Sequence, residues 1–461
     1  MHERPFKEVR GSSNQRVLGV INFTEEEEDR RGPVGPWMHK AIQYPPPVRV
    51  DMDARRRLIV AFKELVAIVM ASVLYNRIPL DRSGDHREAS YIISGSFASS
   101  SLYVLRYERA SCTLAVVQSV PGLGPHQYLH IDRLTPQRVY ATSWTAPHIT
   151  AWAIDGDHPG SGGAPRLRLI NQSPITAISS YITSKHSLLF SVGGPTGEVH
   201  QLMPETGAIE EKLQEILFVP KEALDQEDKS HRALRYGSHG IEVSSLGQVF
   251  VPHLGLNSIW IYNFDPHTKS LEFLTEVKSL QPDDGPRHAV VSEDGKRLYV
   301  VTEHTSRVDL YDVTRQAILH RASSFVIEEP QEHSKYRGDT VRIVPSYLTD
   351  SSPKSREYIF ATTRGTGASQ PGHLAVFLFD VEKQTLTNVL RWETPTSGGK
   401  ANAIEFSPVK SETNKLELVL TDDELGWVSV LEYDLLHNSI RVVATCLLDQ
   451  INIGASHAVW I

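Results

Sequence analysis

Apolar and polar residues alternate through most of the chain in short runs that are separated by Gly, Asn, Asp and Pro. In residues 237–265 the runs IEV, QVFVPHL and SIWIYNF are separated by SSLG and GLN. Period-two runs rich in Val, Ile, Tyr, Phe and Trp favour half-buried strands, and the polar breaks favour turns. A second copy of the pattern follows at 285–313. Because recurrence at this scale marks a repeat architecture, the pattern predicts repeated antiparallel sheets.

Seven such units can be counted after Ala89, and six of them hold at least three consecutive predicted strands. They begin at Gly124, Ser173, Gly237, Gly285, Tyr336, Gly399 and Gly454. The last unit holds only a first strand, ASHAVWI, and the run YIISGSF near Ala89 supplies its second strand. A β-propeller closes its ring in this way, with the two chain ends sharing one blade. We therefore predict an all-β, seven-bladed β-propeller at 89–461; no helix pattern alternates with the strands, which disfavours a parallel α/β fold.

Residues 1–88 lack this alternation. TEEEEDRRGPVGP and YPPPV are a charge run and a proline-rich break, typical of flexible or extended chain. The segment 55–74 is rich in good helix formers, and its apolar run is interrupted by Lys63 and Glu64. It is short for a membrane span, so we interpret it as an amphipathic or buried helix. The prediction is an irregular N-terminal extension with one helix, and no secretory signal.

Composition narrows the classes of function. The chain has 47 Lys and Arg against 55 Asp and Glu, a net charge of −8, which argues against nucleic-acid binding. Cys112 and Cys446 are its two cysteines, too few for a disulfide scaffold and typical of a reducing cytosol. We therefore expect a cytoplasmic protein that binds neither nucleic acid nor membrane, and a homo-oligomer is compatible with the sequence.

Polar residues recur at two points of the repeated unit, the start of the first strand and the end of the second. Because the second strand runs antiparallel to the first, both points are expected at one mouth of the central channel. First-strand starts carry His126, His239, Arg287, His288, Arg337, Lys400 and His457. Second-strand ends carry Trp144, Gly193, Gly194, His253, Glu303, Arg364, Asp422 and Asp423. In an acidic chain, cations gathered at one opening predict a site for a small polyanion.

Four of these residues are predicted to be catalytic. Arg287 and Arg337 suit bidentate binding of carboxylate or phosphate. His239 is expected to titrate near neutrality and to serve as acid or base. Glu303, lying among cations, is expected to stay ionised and to orient an Arg or a His.

Four further residues are predicted to bind substrate. They are Arg364, Lys400, His457 and His288. Arg364 fits a structural salt bridge equally well, and a lone polar residue such as His457 at a strand start is commonly a solvated loop residue. Asp422 and Asp423 are interpreted as turn-forming acids.

Motifs of other chemistries are missing from the sequence. It contains no Cys-x-x-Cys, His-Glu-x-x-His, Gly-x-Ser-x-Gly or P-loop pattern. GGPTGE follows a predicted strand and does not begin a helix, so it is interpreted as a turn within a blade. No metal or cofactor is predicted, although scattered His and Asp at the mouth keep a metal site as an alternative.

From Ala89 onward the chain resembles the lactonase-type seven-bladed propellers, and among them the fungal 3-carboxy-cis,cis-muconate lactonizing enzymes, or carboxy-cis,cis-muconate cyclases. The segments that carry the resemblance are SHGIEV, GPRHAV with VVTE, KYRGDTV, TPTSGGKANAI, LTDDELGW and ASHAVWI. The resemblance implies that the family's active-site His, two Arg and Glu correspond to His239, Arg287, Arg337 and Glu303. It also implies a reaction that needs neither metal nor nucleotide.

The resemblance implies a cycloisomerase, or intramolecular lyase, that lactonizes 3-carboxy-cis,cis-muconate or a similar polycarboxylate in aromatic catabolism by the β-ketoadipate pathway. Gly285 and Lys400 depart from the pattern, because the cyclases carry His at both places. The segment GPRH also occurs in propeller-type 6-phosphogluconolactonases, so a lactone hydrolase is the alternative. A second alternative is a non-catalytic interaction scaffold, in which Trp144, Trp152 and Trp260 form a rim patch rather than strand core.

Overall fold

The computed structural model describes residues 89–132, 137–156, 164–328, 330–349, 355–411, 413–449 and 453–461. The predictions for residues 1–88, including the helix at 55–74, lie outside the described residues. In the described part of the chain, 28 strands form seven four-stranded sheets. This architecture confirms the predicted seven-bladed β-propeller.

The strands are numbered in chain order. Their bounds are β1 Ser90–Ser96, β2 Ser101–Glu108, β3 Thr113–Pro121, β4 His126–Asp132, β5 Arg138–Ser143, β6 His148–Asp155, β7 Arg166–Pro174, β8 Tyr181–Lys185, β9 Leu188–Gly193, β10 Thr196–Leu202, β11 Ile209–Leu217, β12 Glu242–Val243, β13 Gln248–His253, β14 Ser258–Asp265, β15 Ser270–Lys278, β16 Pro286–Val291, β17 Arg297–Thr302, β18 Arg307–Val313, β19 Ile318–Phe325, β20 Tyr336–Ile343, β21 Arg356–Gly365, β22 His373–Asp380, β23 Thr385–Glu393, β24 Ile404–Phe406, β25 Lys415–Thr421, β26 Trp427–Asp434, β27 Ser439–Leu447 and β28 Ala455–Trp460. Short 3-10 helices in the described connections are Lys221–Ala223, Ala233–Arg235, Pro330–Lys335 and Ser346–Leu348. No helix within the described ranges is long and apolar enough to cross a membrane.

The ring closes through a blade that both ends of the propeller share. Blades 1 to 6 consist of β4–β7, β8–β11, β12–β15, β16–β19, β20–β23 and β24–β27. Blade 7 consists of β28, β1, β2 and β3. In it β28 runs antiparallel to β1, with Trp460 opposite Ile92 and Val459 opposite Ile93. This is the closure that the split seventh unit predicted.

The core lies between neighbouring blades. In the third strand of blade 6, β26, seven of eight residues are buried because blades cover both faces of the sheet. One core cluster joins Val430 of blade 6 to Ile92, Tyr103 and Trp460 of blade 7. The outermost strands are half-exposed; along β3 exposed and covered residues alternate. Packing between blades therefore holds the first strands around the channel.

The first strand of blade 2 begins later than predicted. Ser173 lies in β7, the outermost strand of blade 1, and the first strand of blade 2 is β8. Between them Ile175 and Ile178 are buried in the connection 175–180. The predicted start was wrong because a connection can bury apolar residues as a strand does. Pro174, which lacks an N–H for a strand ladder, ends β7.

Candidate active site

First-strand starts and second-strand ends meet at one mouth of the channel, as the repeat predicted. In blade 4, Pro286 lies opposite Thr302, which places the neighbouring residues Arg287 and Glu303 together. In blade 5, Arg337 lies opposite Arg364 in the β20–β21 ladder. Antiparallel pairing alone therefore brings these charged residues to the same opening.

A β-bulge in β16 turns two consecutive side chains into the site. The register shifts between Pro286 and His288. Consecutive side chains of a regular strand point to opposite faces, and a bulge re-aims one of them. Here Nη1 of Arg287 lies 3.3 Å from Nε2 and 3.4 Å from Nδ1 of the adjacent His288.

Blades 4 and 5 approach each other closely at Gly338. Its N–H donates to the carbonyl oxygen of Glu303 at 2.8 Å. A Cβ at this position would lie 2.1 Å from the carbonyl oxygen of Thr302, so glycine alone fits. The approach places the next residue, Asp339, beside Arg287.

Arg287, Glu303, Arg364 and Asp339 form a closed ring of contacts, which we call the ion-pair cluster. Arg287 Nε donates to Glu303 Oε2 at 3.0 Å, and its Nη1 lies 2.6 Å from Asp339 Oδ1. Arg364 Nη2 lies 3.3 Å from Glu303 Oε1, and its Nε lies 3.7 Å from Asp339 Oδ1. The ring holds two cations and two carboxylates and carries no net charge. The excess of positive charge expected at the mouth is therefore smaller than the strand-start residues implied.

Glu303 stays ionised, as predicted. Burial alone would raise its pKa, but the charges of Arg364 and Arg287 outweigh burial and lower the pKa to about 2. The carboxylate binds both of these guanidinium groups. Glu303 was expected to orient either an Arg or a His, and its contacts in the structure are to Arg287 and Arg364.

His239 lies beside the ion-pair cluster and is buried. Its ring centroid is 5.3 Å from that of His288. Burial and the charge of Arg287 lower the pKa of His239 to about 3, although Glu303 acts in the opposite direction. The expectation that His239 titrates near neutrality is wrong, because a buried imidazole next to a guanidinium does not keep a proton. Its Nδ1 has no hydrogen-bond partner among the described residues.

Arg337 and Lys400 are placed at the mouth but bind differently. Arg337 Nη1 donates to the carbonyl oxygen of Tyr336 at 2.7 Å, and the side chain forms no ion pair within the described ranges. Lys400 Nζ lies 3.1 Å from Asp423 Oδ2, and the lysine is exposed. Among the predicted arginines at the mouth, Arg337 thus keeps its charge uncompensated by a described carboxylate.

Among the described residues His457 contacts Tyr128 and Arg342 and no member of the ion-pair cluster. Its ring stacks on Tyr128 at 4.0 Å, and Tyr128 stacks on Tyr181 at 4.1 Å. His288 meets the edge of Tyr181 at 5.1 Å. These residues come from the first strands of four different blades, so they can meet only near the channel axis. The role of His457 in substrate binding stays a prediction.

Other residues of the predicted ring have structural contacts. His126 is buried, with Nδ1 3.1 Å from the carbonyl oxygen of Thr142. Asp422 accepts the N–H groups of Glu424 and Leu425 in a turn, as expected for LTDDELGW. Trp152 is 1% exposed and belongs to the core, in agreement with its interpretation as a strand residue.

Residues 91–409 match the model of the family described as lactonase, 7-bladed beta-propeller. The chain belongs to this lactonase family. Two curated relatives are similar in sequence. Muconate cycloisomerase 1 of Cutaneotrichosporon cutaneum is 27% identical over 354 residues, 74% of this chain and 90% of the relative. Carboxy-cis,cis-muconate cyclase of Neurospora crassa is 24% identical over 210 residues, 41% of this chain and 51% of the relative.

Two solved bacterial structures have a similar shape. A putative 6-phosphogluconolactonase from Bacteroides uniformis superposes with a TM-score of 0.63 at 16% identity, covering 81% of this chain and 100% of that one. The periplasmic gluconolactonase PpgL of Pseudomonas aeruginosa has a TM-score of 0.63 at 15% identity, covering 81% and 99%. At these identities the likeness shows the propeller fold alone, and the substrate has to be argued from the site.

The two departures from the cyclase pattern lie at the mouth of this lactonase-family propeller. Gly285 has a φ of +67°, and a Cβ there would lie 3.0 Å from Nδ1 of His304. The His expected at this point in the cyclases would therefore be strained on this backbone. Lys400 Nζ lies 5.4 Å from the centroid of Phe97, so the lysine is held between an aromatic ring and Asp423.

Asp339 and Asn402 are site residues that the sequence reasoning missed. The main-chain N–H of Asn402 donates to Asp339 Oδ2 at 2.6 Å. They lie two residues beyond Arg337 and Lys400, the residues predicted at the first-strand starts. An acidic residue within the strand KYRGDTV was the available signal, because a charge inside a first strand needs a partner when buried.

Buried imidazoles should make stability depend on pH, and His253 allows a test outside the ion-pair cluster. Burial lowers its pKa to about 4. The folded protein favours the neutral imidazole. The contribution of His253 to the free energy of unfolding is therefore complete above the unfolded pKa of about 6.5, and it is lost as the pH falls toward 4. We expect the stability advantage of the wild type over His253→Gln to shrink by about 1.4 kcal/mol per pH unit in this window, measured by urea unfolding.

Exposed His267, replaced in the same way, is the control, and its variant should follow the wild type at each pH. A constant difference between the wild type and His253→Gln from pH 7 to pH 4.5 would contradict the prediction.

Proposed function

We propose that the protein is a cofactor-independent cycloisomerase that lactonizes 3-carboxy-cis,cis-muconate or a similar polycarboxylate. The observation that carries the proposal is a buried arginine, Arg287, held between two carboxylates and next to an imidazole. Arg337 lies at the same mouth and forms no ion pair with a carboxylate of the described residues. Membership of the lactonase family supports an enzyme acting on lactones. Both curated relatives are named for the cyclisation of a muconate.

The reaction needs charge stabilisation more than covalent catalysis. A carboxylate oxygen of the substrate forms a C–O bond to a double bond conjugated with a second carboxylate. The π electrons move onto that second carboxylate as an enolate-like anion, and a proton then adds to carbon. Arg287 is buried and fixed before the substrate arrives, so it stabilises the developing charge without reorganisation.

His239 is our candidate for the proton donor. It is neutral in the free protein because burial and Arg287 lower its pKa. A bound polycarboxylate brings negative charge that opposes Arg287 and raises the pKa of the imidazole. His239 then takes up a proton with the substrate and delivers it to carbon. Glu303 acts by holding Arg287 and Arg364.

Arg337 is the proposed first clamp for a substrate carboxylate. Hydrogen bonds between charged groups contribute about 1.5–3 kcal/mol, so Arg337→Ala should raise KM by about 10- to 100-fold with a smaller effect on kcat. Steady-state kinetics with 3-carboxymuconate measure both constants. Exposed Arg391, replaced by Ala on the outermost strand of the same blade, should leave KM unchanged. A KM within twofold of wild type for Arg337→Ala would place the substrate carboxylates elsewhere.

A lactone hydrolase is the second candidate, favoured by Gly285 and Lys400 where the cyclases carry His. Hydrolysis requires a base to activate water. Glu303, with a pKa of about 2, and His239, with a pKa of about 3, are both weak bases in the free protein. Cyclisation, which needs an acid and preorganised cations, therefore fits the site better.

The sign of the proton change separates the two reactions. Cyclisation converts one carboxylate into an ester and takes up one proton, whereas hydrolysis of a lactone releases one. In lightly buffered solution with a chelator and a pH indicator, we expect the wild type to raise the pH with 3-carboxymuconate. Enzyme-dependent acidification with 6-phosphogluconolactone and no reaction with the muconate would favour the hydrolase. A non-catalytic scaffold would change the pH with neither of the two substrates.

A further inference from the structure

Asp339 lies where three blades meet and is almost completely buried, with 2% of its side chain exposed. Its Oδ1 lies 2.6 Å from Nη1 of Arg287, and its carbonyl oxygen accepts from the same nitrogen at 2.6 Å. Its Oδ2 accepts the main-chain N–H of Asn402 at 2.6 Å. Arg287 belongs to blade 4, Asp339 to blade 5, and Asn402 precedes the first strand of blade 6. One carboxylate thus connects the arginine to two neighbouring blades.

We propose that Asp339 is a positioning residue for the lactonization: it fixes the guanidinium of Arg287 and does not touch the substrate. The proposal rests on the proposed function. An arginine side chain has several rotatable bonds, so an unsupported guanidinium would have to be ordered in each turnover. Asp339 and Glu303 bind it at two different nitrogens, which defines the plane of the group before substrate binds.

The same contact opposes substrate binding. The carboxylate of Asp339 occupies an N–H group of Arg287 that a substrate carboxylate would otherwise take, and it neutralises one of the two cations of the ion-pair cluster. Asp339→Asn would leave the cluster with a net charge of +1. Ground-state binding of anions should then be unchanged or tighter.

The substitution should nevertheless slow the reaction. Both side-chain oxygens of Asp339 accept from N–H donors, one on Arg287 and one on Asn402. An Asn amide offers one oxygen and must turn its NH₂ group toward the other donor. Arg287 would then keep Glu303 and the main-chain carbonyl oxygen of residue 339, but it would lose the charged carboxylate that holds Nη1. A fall in kcat without a rise in KM is the expected signature.

Glu357 supplies a matched control. It lies near the start of β21, whereas Arg364 of the ion-pair cluster lies near the end of the same strand. Its carboxylate is also buried and accepts from Nε and Nη2 of Arg297 at 2.8 and 2.9 Å. Glu357→Gln removes a comparable buried charge away from the mouth, so it should lower the melting temperature and leave kcat, KM and the pH profile unchanged.

The experiment compares wild type, Asp339→Asn and Glu357→Gln in kinetics with 3-carboxymuconate across pH, per mole of folded protein determined by circular dichroism. For Asp339→Asn we expect a fall in kcat of at least about tenfold, an unchanged or lower KM, and a pH profile displaced to lower pH, because removing a negative charge lowers neighbouring pKa values. Citrate serves as a tricarboxylate probe. The rise in melting temperature that citrate causes in Asp339→Asn should equal or exceed the rise that it causes in the wild type.

An unchanged kcat, a raised KM or a smaller citrate effect in Asp339→Asn would overturn the positioning role while the wild type remains active. An inactive wild type would instead overturn the proposed function itself, and the positioning role with it. The two failures are thus distinguishable in one set of measurements.

Discussion

Replacing Arg287 with Ala is expected to lower kcat/KM for 3-carboxymuconate by about a thousandfold or more. Removing a single preorganised donor for a developing anion commonly costs a factor of about 10²–10³, and Arg287 is also the contact that orders the ion-pair cluster. The variant leaves Glu303 and Asp339 with Arg364 alone. Breaking a buried pair typically costs about 3–5 kcal/mol, so the melting temperature should fall as well.

Arg297→Ala separates the loss of catalysis from the loss of stability. Arg297 is a buried arginine at the start of β17 that pairs with Glu357 and Asp294, whereas Glu303 follows the end of the same strand. Its replacement should destabilise the protein to a similar degree and leave kcat/KM of the folded fraction unchanged. Arg287→Lys keeps the charge but lacks the planar fork, so it should recover stability more than activity. Arg287→Ala retaining more than about a tenth of wild-type activity would contradict the role of Arg287.

His239→Gln is expected to lower kcat by about 10²- to 10⁴-fold, with KM within a few-fold of wild type, because loss of a positioned acid removes proton transfer and leaves carboxylate binding in place. The stereochemistry of deuterium in the lactone made in D₂O is a second measurement of the role of His239. Wild type should deliver deuterium to one face of the carbon, which NMR of the lactone detects. The residual reaction of the variant should give both stereochemical outcomes, since the proton then comes from solvent.

His253→Gln is the matched control for His239→Gln. His253 is also a buried imidazole of blade 3, and burial lowers its pKa to about 4. Its contacts are the rings of Phe218 and Trp260 and the N–H of Leu256. The control should lose stability but keep kcat and the stereochemistry. If His239→Gln kept wild-type kcat and one-face delivery, another group would be the acid.

The sequence determined the blades because their signals are local. Period-two runs and turn residues recur in each unit, and the split between ASHAVWI and YIISGSF predicted the closure that pairs Trp460 with Ile92. The start of blade 2 was misplaced because burial of Ile175 in a connection leaves the same apolar signal as burial in a strand. Antiparallel pairing then also predicted that Arg287, Glu303, Arg337 and Arg364 share one mouth.

The tertiary structure alone decided how those charges act. Whether an arginine is paired depends on distances between side chains of different blades, so the pair of Asp339 with Arg287 forms only because Gly338 lets blades 4 and 5 approach closely. The pKa of His239 depends on burial and on Arg287, neither of which strand register contains. The same holds for His457, which lies at a first-strand start in sequence but stacks on Tyr128 near the channel axis. Register is a property of a local pattern, whereas charge balance and pKa arise from contacts among residues far apart in the chain.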